Sequence, residues 1–126
     1  MKKFHKLFLL LLVTTLFSCE GSDTYQGKWS ALDPNGRKFE ITFSPTNFSI
    51  KDSTGKSKKY EYTQHSVTTE NSLETYGIRV DDGRAYQIYF PKKDESVGII
   101  LDENGIPLFT ISRKGHITYQ EIYKLN

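Results

Sequence analysis

The chain has 126 residues, seventeen Lys and Arg against fifteen Asp and Glu, and 37% apolar residues that include eight Phe, eight Tyr and one Trp. That balance excludes a disordered polyelectrolyte, and a formal charge of +2 gives no electrostatic reason for a nucleic-acid partner. Its single cysteine, Cys19, excludes an intramolecular disulfide and a thiolate metal cluster, so stability must come from packing.

Lys2, Lys3 and Lys6 give a basic start, Leu7 to Val13 a nearly unbroken apolar run, and Ser18 a small residue before Cys19. This is the layout of a secretory signal. The apolar stretch ends at Phe17 after eleven residues, two of them Thr14 and Thr15, whereas a membrane-spanning helix needs about 20. A cleaved segment is therefore expected. Leu16-Phe17-Ser18-Cys19 resembles the lipobox of bacterial lipoproteins. The resemblance implies a signal peptide over 1–18, a diacylglycerol on the sulfur of Cys19, and anchoring to a membrane through that lipid. Two or more acyl chains hold stably where one holds marginally. Removal of the signal takes three lysines and no acid, leaving fourteen basic and fifteen acidic side chains. Residues 19–24 then read as the lipidated cysteine and a flexible tether. Glu20 and Asp23 follow the cysteine, and the expected location is the outer membrane, with its periplasmic and surface-exposed sides both open.

Residues 25–126 are expected to form one domain, a common domain size. Its dominant periodicity is two. Phe39, Ile41 and Phe43 alternate with Lys38, Glu40 and Thr42, and Phe48 and Ile50 repeat the pattern after Ser44-Pro45-Thr46-Asn47. Tyr60 and Tyr62 flank Glu61, with a strand end expected near His65. Tyr76, Ile78 and Val80 lead through Asp81-Asp82-Gly83 into Tyr86, Ile88 and Phe90, a strong hairpin signal. Val97, Ile99 and Leu101, a turn at Asp102-Glu103-Asn104-Gly105, and Ile106 to Ser112 follow. Tyr119, Glu121, Tyr123 and Leu125 suggest a last strand. The expected fold class is all-β, a single antiparallel meander of about eight or nine short strands that buries its apolar face by closing into a small barrel.

Tyr25-Gln26-Gly27-Lys28-Trp29 opens the domain, and Gly27-x-Trp29 on a first strand resembles the start of lipocalin-type barrels. The resemblance implies a lipocalin-like barrel with Trp29 at its closed end, under a basic side chain from near the last strand. Arg113 is the residue available for that role.

Catalytic constellations are missing from the pattern. His65 and His116 are far apart in sequence and read as turn histidines. No Gly-x-Ser-x-Gly elbow is present. Gly55-Lys56-Ser57 lacks the glycine five residues earlier that a phosphate loop needs, the position being Ile50. Asp81-Asp82-Gly83 lacks the spaced oxygens of a calcium loop. No enzyme, no cofactor and no metal is therefore expected.

Binding is the remaining expectation. Trp29, Phe39, Phe43, Phe48, Tyr60, Tyr62, Tyr76, Tyr86 and Phe90 are the candidate core or ligand-binding aromatics. Two functions follow. One is a membrane-anchored envelope module that takes a small apolar ligand. The other is a protein-interaction module of the inhibitor or immunity-protein type, which neutralises a lysozyme or toxin. An eight-stranded barrel is just wide enough to be filled by side chains or to hold one small ligand. A cavity of roughly 300 Å³ or more favours the ligand; a filled interior with an exposed apolar patch favours the protein partner.

Overall fold

The computed structural model describes residues 20–124. Cys19 and the signal segment lie outside the described residues. Eight strands form a closed antiparallel meander: β1 (Gly27–Leu32), β2 (Lys38–Phe43), β3 (Asn47–Asp52), β4 (Ser57–Glu70), β5 (Leu73–Val80), β6 (Ala85–Tyr89), β7 (Val97–Asp102) and β8 (Pro107–Ser112). Each pairs with its neighbour in sequence, and β8 returns to β1 through Ser30↔Ser112, Ala31↔Ile111 and Leu32↔Thr110. The alternation in the sequence sets which side chains point inward. Ile41 and Phe43 on β2, Tyr76 and Ile78 on β5, and Ile88 on β6 are all buried, and each fully buried large apolar side chain contributes about 1.5–3 kcal/mol.

The β1–β2, β3–β4, β5–β6 and β7–β8 turns share one end of the barrel, and they are built alike. In each, a residue at the strand end exchanges backbone hydrogen bonds with the fifth and fourth residues of the turn, as in Asp33 N to Arg37 O at 3.0 Å and Gly36 N to Asp33 O at 3.0 Å. Gly36, Gly55, Gly83 and Gly105 take the left-handed position with φ between 82° and 95°, the type I turn with a glycine bulge that suits strand twist. In three of the turns an aspartate reinforces the pattern. Asp33, Asp52 and Asp102 each accept two backbone N–H groups on Oδ1 at 2.9–3.0 Å. These short turns leave the end open.

Three segments differ from the sequence-based expectations. β4 does not stop near His65; it continues to Glu70 past a register shift between Gln64 and Ser66, and pairs with β5 across a two-residue turn. Asn71 and Ser72 both have positive φ, 54° and 65°, which matches the twist of the flanking strands. The residues expected as a last strand form a short helix, α1 (Tyr119–Lys124). Thr118 caps it, Oγ1 accepting from Glu121 N at 3.1 Å while Thr118 N donates to Glu121 Oε1 at 3.3 Å, a reciprocal capping box that overrides the weaker two-residue alternation. Finally, the segment expected as a flexible tether is held to the barrel. Gly21 N donates to Pro45 O at 2.8 Å, Ser22 N to Gln64 Oε1 at 2.9 Å, and Asp23–Tyr25 form one 3-10 turn. That turn plugs the end opposite the four glycine turns.

Candidate functional site

The plugged end is built on two aromatic side chains. Tyr25 is fully buried and stacks edge-on against Phe43 at 5.1 Å and Tyr76 at 5.2 Å between centroids. Its carbonyl accepts from Trp29 Nε1 at 2.9 Å, which satisfies the indole's only donor. Arg113, directly after β8, lies over the indole with Cζ 3.7 Å from the ring centroid. The guanidinium also donates to Lys28 O and Thr24 O at 3.2 Å and to Gln26 O at 2.8 Å. It thereby ties the plug to β1. Gly27 is required here: its φ is 94°, and a Cβ would stand 3.2 Å from Arg113 Nη1. Burial lowers the pKa of Arg113, which still leaves it a cation at physiological pH.

Polar groups around the plug are committed to structure. Tyr25 Oη donates to Gln64 Oε1 at 2.7 Å, Tyr62 Oη to Ser44 O at 2.7 Å, and Tyr76 Oη to Glu74. Burial is the main cause that raises the pKa of all three phenols, with Tyr62 adding to it at Tyr25 and Glu74 at Tyr76. They are donors at neutral pH, not bases. Gln26 donates through Nε2 to Ser22 O at 3.2 Å and Tyr62 Oη at 3.4 Å, while its Oε1 is buried without a partner among the described residues.

The open half is different. A cavity of about 230 Å³ enters the barrel from the glycine-turn end, lined among others by Ile41, Phe43, Phe48, Ile50, Tyr60 and Tyr86. Phe48 and Tyr60 stack at 5.2 Å on one wall, and Phe39 meets Phe109 edge-on at 5.4 Å. Ile78, Ile100, Leu108 and Phe109 complete the apolar lining, and Arg84 is its one charged member. Arg84 sits above two rings, 5.5 Å from the centroid of Tyr60 and 5.8 Å from that of Tyr86. Outside the barrel, a broader cleft of about 440 Å³ runs between the start of α1, the β1–β2 turn and β8. Leu108 and Phe109 line both spaces and separate them.

The nine candidate aromatics thus divide by position. Phe43, Phe48, Tyr60 and Tyr86 line the open cavity. Trp29, Tyr62, Tyr76 and Phe90 are buried in the packed half, and Phe39 is partly buried against the core. The nine candidates leave out two further aromatics, Tyr25 and Phe109, and the non-aromatic lining made by the four isoleucines of the cavity, Leu108 and Arg84. Arg84 was findable, because it keeps the parity of Tyr86, Ile88 and Phe90 and so falls on the inward face. Both described histidines, His65 and His116, are exposed. Among the described residues no three His, Cys, Asp or Glu side chains stand close enough to hold a metal ion. Comparison with protein-family models, curated proteins and solved structures returned no significant match to this chain.

Proposed function

We propose that this protein is a membrane-anchored envelope lipoprotein whose lipocalin-like barrel is a non-catalytic binding module for a small apolar ligand. The observation that carries this reading is the apolar cavity of about 230 Å³ in the open half. It falls short of the roughly 300 Å³ expected above, the lower bound for drug-sized ligands, and exceeds the roughly 150 Å³ of an apolar cavity that binds benzene. The ligand is therefore a single ring system or a short chain.

Anchoring through Cys19 suits this geometry. Gly21 is bonded to Pro45 in the β2–β3 turn, at the plugged end, and Cys19 is only two residues earlier in the chain. A lipid there sets the plug toward the bilayer and the cavity mouth away from it. Strands of six residues such as β2 and β3 lift that mouth by roughly 15 Å, at about 3.3 Å per residue and a tilt of about 40° to the barrel axis.

A second reading, the inhibitor or immunity-protein type of interaction module, draws on the outer cleft. Ile106 and Tyr119 line it and are 56% and 43% exposed, the kind of apolar exposure that partner surfaces use.

Titration with octan-1-ol followed by methyl NMR tests the first reading. The methyls of Ile41, Ile50, Ile78 and Ile100 should shift while those of Ile122 stay still. Shifts confined to Ile106 would move the site to the outer cleft. For the anchor, Cys19→Ala should move the protein from the membrane fraction to the soluble one; a variant that stays bound and is still cut normally contradicts lipidation.

A further inference from the structure

What stands at the mouth selects the ligand's head group. We propose that the open half of the barrel takes a small amphipathic monoanion, its apolar body among Ile41, Ile50, Ile78 and Ile100 and its carboxylate-like head at the Arg84 guanidinium. This deepens the ligand-cavity reading above and rests on it.

Three observations converge on Arg84. It is the only charged side chain lining the cavity among the described residues. Tyr60 on β4 and Tyr86 on β6, the strands on either side of β5, hold it at the mouth at 5.5 and 5.8 Å, so its position is set before a ligand arrives. It is also incompletely used: Asp82 engages Nε at 2.8 Å and Nη2 at 2.7 Å, both through the single oxygen Oδ2, whereas a guanidinium carries five N–H donors. The side chain is 54% exposed, so an arriving anion meets it without crossing the core.

One further cation stands on the inward face near the mouth. Lys58 lies on the inward face of β4 with Tyr60 and Tyr62, in register with Ile50, and it makes no ion pair among the described residues. The acids of the glycine turns stand outside the cavity lining, and Asp33, Asp52 and Asp102 each direct Oδ1 to two backbone N–H groups of their own turn. Asp82 is the one carboxylate that competes directly with an incoming head for Arg84. Size sets the other limit. Trp29, Phe90 and Ile88 fill the barrel beyond the cavity, so a long chain has nowhere to extend inward.

The test compares octanoate with octan-1-ol, which share a chain and differ in charge, in methyl NMR titrations at pH 7. Octanoate should bind about tenfold more tightly, the effect of one charge-assisted contact in a partly exposed site. Arg84→Gln should abolish that preference, so that the two probes bind with equal affinity to the variant. Asp82→Asn, which removes the competing carboxylate, should increase it. Equal affinity of the two probes for the wild-type protein, or a preference that Arg84→Gln leaves intact, overturns the anion site and leaves the cavity reading standing. If neither probe shifts the four isoleucines, both fall together.

Discussion

Replacing Arg113 by alanine is the most informative perturbation of the fold, because one side chain there closes the plug, the first strand and the last. A cation over an indole contributes about 0.5 to 2 kcal/mol, and Arg113 stands 3.7 Å from the Trp29 centroid. Three further hydrogen bonds run from its guanidinium to the carbonyls of Thr24, Gln26 and Lys28. Each is worth about 0.5–1.5 kcal/mol net, discounted because Arg113 keeps part of its surface exposed to water. Arg113→Ala should therefore cost about 2–3 kcal/mol. Arg113→Lys should recover less than half of that, since an ammonium cannot cover the ring and reach three carbonyls in a plane. Trp29 is the only tryptophan, so its fluorescence follows urea unfolding without interference. With a urea slope of about 1–3 kcal/mol per molar, the midpoint should fall by roughly 1 M. Trp29→Ala, read by circular dichroism, should cost about 3–5 kcal/mol as a large core truncation. The Trp29→Phe and Arg113→Ala cycle should show coupling of about 0.5–2 kcal/mol. A loss below 0.5 kcal/mol for Arg113→Ala, or no coupling, refutes the idea that this pair closes the barrel.

Gly21→Ala should detach the segment that precedes β1, because a Cβ there would stand 1.9 Å from Tyr62 Oη and 2.6 Å from Gln26 Nε2. Overpacking of this kind costs about 1–3 kcal/mol, and a change under 0.5 kcal/mol in urea would show that the segment is not docked. The mouth turns should resist acid. At Asp52 the Thr54 hydroxyl, ahead of the Lys56 and Thr54 N–H groups, lowers the carboxyl pKa; at Asp33, burial acts in the opposite sense but the contacts from Arg37 and Asn35 outweigh it. A lowered folded pKa means that the stabilisation is complete above the ordinary value of about 3.9 and fades as pH falls through the lowered one. The amide shifts of Lys56 and Arg37 should titrate with midpoints below 3.9, and midpoints at or above 4 would contradict the cap geometry.

The barrel itself was legible because each strand pair carries its own local instruction. Phe39-x-Ile41-x-Phe43 names its inward face, and the Asp and Gly residues of the mouth turns name both the turn type and the end of the barrel where they gather. The plug was not legible in this way. Gly21 to Tyr25 carry no periodicity, and their position depends on Pro45, Gln64 and Arg113, partners 24 to 89 residues distant in contacts that no local pattern encodes. At the C-terminus two local signals conflict, the alternation of Tyr119, Glu121 and Tyr123 against the capping box of Thr118 and Glu121. Capping prevails there because it satisfies backbone donors that a strand without a neighbour would leave unpaired. As for the cavity, the aromatics mark the interior but not which half is hollow. That division follows from Tyr25 entering one end, a tertiary event with no signature in the alternation.

The central claim is that the open half of this barrel holds a small molecule. Native mass spectrometry of the protein purified from the cells that make it tests this most directly, alongside Ile50→Trp, which fills the cavity mouth. The account predicts a wild-type species heavier than the same protein under denaturing conditions by one small, dissociable ligand, and the bare species for Ile50→Trp. An empty wild-type protein, or one that carries the same ligand after the mouth is filled, would contradict it.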